Sequence, residues 1–128
     1  MKLLYIYEKE LQYVDSIGIE SSQVEWVSQS SPQSPFDIKS VRRTETGIKE
    51  HFIEVKSSRA DDDSNIYLSS RQVEFFNRED ISGEFAFVTF ERDRTLSSVR
   101  NLSIQQILQE FNLLPIKFKL QKKTPKQK

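Results

Sequence analysis

The segment His51–Ser58, HFIEVKSS, decides how this chain folds. Side chains alternate along a β-strand, so Ile53 and Val55 project to one face. Glu54 and Lys56 project to the other, roughly 7 Å apart along the strand. Phe52, Ile53 and Val55 are strand formers that belong in a core. Two opposite charges between them mean that one face meets water or lines a site where charge is used.

Upstream, FDIKSVRR (36–43) reads as a second strand, and TETG (44–47) as the turn that joins the two in an antiparallel hairpin. Asp37 stands 17 residues before Glu54, and the hairpin would bring the two carboxylates together across the ladder. Before it, QVEWVSQ reads as a short strand and SQSSPQSP as a loop punctuated by Pro32 and Pro35. The opening KLLYIYEKELQYVDSIG places Leu3, Leu4, Tyr7, Leu11, Val14 and Ile17 at helical spacing, with Gly18 as C-terminal cap.

Downstream, RADDDSN is a polar loop and IYLSS a short extended piece. SSRQVEFFNRED begins a helix in which Ser69 and Gln72 form a capping box. EFAFVTFER is a nearly continuous apolar run, expected as a central strand covered on both faces. Ile104, Ile107, Leu108 and Phe111 mark a helix opened by a Ser103–Gln106 capping box. PIKFKL alternates Ile116, Phe118 and Leu120 with Lys117 and Lys119, the pattern of a lysine-guarded edge strand. The order helix, three strands, helix, strand, helix, strand predicts an α/β (α+β) domain over residues 1–120, a mixed sheet flanked by helices. The basic residues 121–128 read as a disordered tail.

Composition narrows the chemistry. The 128 residues include nine Phe, four Tyr and one Trp, enough for one sizeable core. Lys plus Arg and Asp plus Glu both number 19, which argues against a dedicated polybasic nucleic-acid binder but leaves room for a local basic groove. Without cysteine there is neither a disulfide framework nor a thiolate-held zinc, and the single His51 makes a histidine metal site implausible. His51 itself is read as a surface residue. A metal here would be hard and oxygen-liganded. No apolar run approaches the roughly 20 residues of a membrane span, so no membrane role is expected. The N-terminus lacks the pattern of a secretory signal, and a cytoplasmic setting (nuclear in a eukaryote) is the default.

Convergent carboxylates repel unless a cation sits between them. Asp37 and Glu54 holding Mg²⁺ or Mn²⁺, with Lys56 beside them, form a physical recipe for phosphodiester hydrolysis. The structural alternative is equally plain: Glu-x-Lys is common on half-exposed strands, and Asp37 can simply start a turn.

The stretches VEWVSQSSPQSPFDIKS, HFIEVKSS, LSSRQVEFF, FAFVTFERD and FNLLPIKFKL, taken in order, resemble the C-terminal domain family named after the plant protein NO VEIN. The similarity runs from about Leu3 to Leu120. It implies a fold similar to the PD-(D/E)xK restriction-endonuclease-like group and a Mg²⁺-dependent nuclease, with DNA processing or defence as its setting. By that resemblance Asp37, Glu54 and Lys56 match the metal-binding and catalytic positions, and the Val55 main-chain carbonyl is a further metal ligand. Gln72 either parallels an accessory glutamine of related nucleases or only caps its helix; the cap is the favoured reading. The family's first-helix glutamate would fall at or before Met1, with Glu8 and Glu10 as unfavoured substitutes. Either the first turn of that helix has been lost with an upstream region or this copy never had the residue; the expected parent is a larger protein whose C-terminal part this is. A non-catalytic module of the same fold, binding nucleic acid or protein, is the alternative.

Overall fold

The computed structural model describes residues 2–59 and 66–113. The elements run α1 (Lys2–Ser16), β1 (Glu25–Trp26), β2 (Ile38–Thr44), β3 (Gly47–Arg59), α2 (Ser70–Phe76), β4 (Gly83–Phe90), β5 (Leu96–Leu102) and α3 (Ile104–Glu110). Five strands form one mixed sheet in the order β1-β2-β3-β4-β5. All neighbours are antiparallel except β3 and β4. A parallel pair needs a long crossover, and α2 lies within it. The expected α+β architecture, a mixed sheet flanked by helices, is the one the chain adopts.

The alternation of β3 divides the molecule into two cores. Ile53 joins Ile38, Ala86 and Val88 under Ile6 and Val14 of α1. Phe52 faces the opposite way, packing with Phe85, with Phe75 and Phe76 of α2, and with Ile104 and Ile107 of α3. β4 is the central strand anticipated from its apolar run: Phe85 and Ala86, adjacent and on opposite faces, are both buried. Gly83, at its start, lies under Phe76, whose ring carbons would stand 2.8 Å from any added Cβ.

The first helix is as predicted, but its buried line is Ile6, Glu10 and Val14, while Leu4 is exposed. A charged residue at the centre of the buried stripe obscures the pattern in sequence. Glu10 is satisfied by a bidentate pair with Arg42, at 2.6 and 3.0 Å. Gly18, at φ +75°, ends the helix: Ile19 N–H bonds Val14 C=O and Gly18 N–H bonds Asp15 C=O. This is the left-handed turn that glycine adopts without a Cβ clash.

Three expectations need correction. His51 is buried, not superficial: its Nδ1 meets Ser82 Oγ at 2.8 Å and its Nε2 meets Glu84 Oε1 at 3.1 Å. The reason is position, because His51 shares the α1-covered face with Ile53 two residues on. The first strand is only two residues, since Val27–Gln29 tightens into a 3₁₀ turn. Trp26 is partly buried there, its ring tilted by 41° against Tyr7 at 5.4 Å between centroids. An unanticipated strand, β5, follows β4; its sequence LSSVRNL is polar and largely exposed, so it carries no period-two signal. The edge strand proposed at 116–120, the tail 121–128 and the acidic loop 61–63 lie outside the described residues. No described helix is long and apolar enough to cross a membrane.

Gly83→Ala should lower stability by about 1–3 kcal/mol, the usual range for an overpacked core contact. Urea unfolding measures this, and an unchanged midpoint would show that the Phe76 ring yields freely.

Candidate functional site

β3 outruns β2. Their pairing starts at Ile38 opposite Ile53, so Glu54 through Arg59 have β4 on one side and no β2 residue on the other. Asp37 stands at this corner, and one further step of the ladder sets it across from Glu54. Its backbone is held on both sides: Asp37 N–H donates to Ile53 C=O at 2.9 Å, and its own carbonyl accepts from Val27 N–H and Ser28 N–H. Its carboxylate accepts from Val55 N–H at 2.8 Å. The side chain thereby replaces the missing strand as acceptor for β3. In a strand the N–H and C=O of one residue point the same way, so the Val55 carbonyl also faces the Asp37 corner.

Glu54 is buried, with Asp37 as its acidic neighbour. Burial, then the neighbouring Asp37 carboxylate, push its carboxyl up from 4.5 to about 8, against the lowering effect of Lys56. Lys56 Nζ stands 3.4 Å from Glu54 Oε2. The expected convergence of Asp37, Glu54 and Lys56 is therefore present, with the Val55 main chain between them.

Gln72 completes the group. As expected it forms a capping box with Ser69 at the start of α2. The favoured reading of Gln72 as a cap alone is too narrow. Its Nε2 donates to Glu54 Oε2 at 2.6 Å, and its Oε1 accepts from Lys56 Nζ at 2.9 Å and from Ser69 N–H at 3.1 Å. Spacing along the chain cannot reveal this, because the crossover between β3 and α2 alone brings Gln72 over the strand. Glu10 does not join the site; it is bound to Arg42 on the opposite face of the sheet, and Glu8 is exposed.

The donor set suits a hard divalent cation. Two carboxylates and one ammonium leave a net charge of −1 when all are ionised. Among the described residues no cluster of three or more His, Cys, Asp or Glu side chains is placed to hold a metal. Mg²⁺ is commonly held by one or two carboxylates with several waters retained, so Asp37, Glu54 and the Val55 carbonyl fit such an ion.

The Glu54 shift has a thermodynamic consequence. The folded chain binds this proton more tightly than the unfolded chain, so the stabilisation is complete below pH 4.5 and is lost as pH rises to about 8. In metal-free buffer stability should fall across that window, by at most about 1.4 kcal/mol per pH unit. Denaturant melts at several pH values check this, and Glu54→Gln should flatten the slope; an identical slope in the variant would assign it to other groups.

A family model described as Protein NO VEIN, C-terminal, matches residues 4–95, a span that contains Asp37, Glu54, Val55, Lys56 and Gln72 and stops before β5. No curated protein matches the chain, and no solved structure does. With nearly all of α1 through β4 inside the match, the chain belongs to the NO VEIN C-terminal family.

Proposed function

We propose that this domain is a metal-dependent nuclease of the PD-(D/E)xK type, hydrolysing phosphodiester bonds with Mg²⁺ or Mn²⁺. The observation that carries the reading is the meeting of Asp37 and Glu54 beside Lys56, where β3 extends past β2. Asp37, Glu54 and the Val55 carbonyl would hold the cation. When bound, it would polarise the phosphate and lower the pKa of a coordinated water.

The chain's own residues supply the rest. Asp37 is fixed by its backbone hydrogen bonds and by Val55 N–H, so its carboxylate needs little reorganisation. Lys56 would orient the attacking water or stabilise charge developing on the phosphorane oxygens, as a preorganised cation in a partly dry site does best. Gln72 bridges Glu54 and Lys56 by a hydrogen bond to each, beside their 3.4 Å ion pair. Nucleic acid is then the partner, bound through local charge, since the chain as a whole carries none in excess.

Titration with Mn²⁺ should show binding that Asp37→Ala and Glu54→Ala abolish, together with cleavage of single- or double-stranded DNA or RNA. Lys56→Ala should retain the metal and lose about 10²–10³ in cleavage rate. Metal binding or cleavage indifferent to both carboxylates would overturn the proposal. The small number of gathered carboxylates favours one second reading, a module of the same fold that binds nucleic acid without cutting it. It predicts low-salt DNA binding that survives both alanine substitutions, with no cleavage by the wild type.

A further inference from the structure

Two capping boxes of the same design open the two short helices that cover the Phe85 face. Ser69 (φ −76°, ψ 157°) caps α2 with Gln72 at the third helical position. Ser103 (φ −73°, ψ 163°) caps α3 with Gln106 at the same position. In each, the serine Oγ accepts from the glutamine N–H at 3.1 Å. In each, the glutamine Oε1 accepts from the serine N–H, at 3.1 Å in α2 and 2.8 Å in α3. They differ in what lies beyond. Gln106 is exposed, whereas Gln72 is partly buried over β3 and touches Glu54 and Lys56.

An amide side chain has a donor end and an acceptor end, and rotation by half a turn exchanges them. Ser69 N–H and Lys56 Nζ can only donate, so both require the oxygen of Gln72. The nitrogen must then face Glu54. The cap thus selects which end of Gln72 meets the carboxylate, and Ser69 Oγ holds the backbone from which Gln72 reaches it. We infer that Ser69 is a positioning residue of the Asp37–Glu54–Lys56 site, acting through Gln72, and that the α2 cap is part of the site's outer shell while the α3 cap is not. This inference rests on the proposed metal site for its functional consequence, but its structural content stands in the metal-free protein.

The internal control is the second cap. Ser69→Ala and Ser103→Ala each delete one capping hydrogen bond of the same kind from a seven-residue helix. In the metal-free protein, the Gln72 side-chain amide protons should be shifted and protected from exchange by their bond to Glu54, as followed by ¹⁵N-resolved NMR. Ser69→Ala, which keeps the backbone N–H but loses the Oγ bond to Gln72 N–H, should lower that protection, Ser69→Thr should restore it, and Ser103→Ala should leave it intact. Mn²⁺ binding by calorimetry should weaken about tenfold in Ser69→Ala, the lower end of the range for groups that orient a metal ligand. It should be unchanged in Ser103→Ala. An equal effect of the two alanine variants on Mn²⁺ affinity, or Gln72 protons indifferent to Ser69→Ala, would overturn the role of Ser69. A wild type that binds no Mn²⁺ would overturn the metal site instead, and the Gln72 resonances would still decide for or against Ser69.

Discussion

A single side-chain to main-chain hydrogen bond organises the corner where Asp37, Glu54 and Lys56 meet. β2 ends before β3 does, and the exposed edge of β3 needs an acceptor for Val55 N–H; the Asp37 carboxylate supplies it at 2.8 Å. A buried or half-buried N–H without a partner is destabilising by a few kcal/mol, so Asp37 has a structural reason to stand at that corner. Once there, its charge is set against Glu54. One residue thereby extends the sheet and brings two carboxylates together, and the site follows from the geometry of the strand end.

The two faces of the sheet use acidic residues to opposite effect. On the α1 side, burial alone would raise the Glu84 carboxyl, yet the hydrogen bond and charge of His51 and the charge of Arg42 outweigh it and hold it below its usual range. Glu10 spends its charge on the same guanidinium. These are closed networks, and they tie helix to sheet. On the α2 side, Glu54 has a second carboxylate beside it and a lysine 3.4 Å away, with an amide bridging them. Its carboxyl rises to about 8. The difference lies in the facing groups: His51 and Arg42 both bond Glu84, whereas Glu54 has a second carboxylate beside it and Lys56 as its opposing charge. Residue type does not separate the two kinds of acid environment here; neighbours do.

The helix caps join these themes. Ser-x-x-Gln occurs twice, and local sequence treats both alike as signals for a helix start. Both signals hold, because a capping box is closed within four residues and needs nothing from the rest of the fold. Only the crossing of the chain from β3 into α2 turns one of those glutamines into a contact between Glu54 and Lys56.

What the sequence by itself determined is whatever local chemistry settles: α1 and its Gly18 terminus, both capping boxes, the hairpin of β2 and β3, the buried run of β4, and the convergence of Asp37 with Glu54, which hairpin register dictates once the turn is placed. Tertiary structure decided the rest. His51 looks like a lone surface histidine until Glu84 and Ser82 arrive from β4 and the segment before it, and Glu10 breaks an apolar stripe until Arg42 meets it. β5 has no period-two pattern because, apart from Val99 and Leu102, its residues are exposed on both faces, and pairing with β4 makes it a strand. The physical reason is common to all of these. Capping, turn formation and strand alternation depend on neighbours within a few residues, but the partner that satisfies a buried charge comes from a distant part of the chain, and only the folded packing selects it.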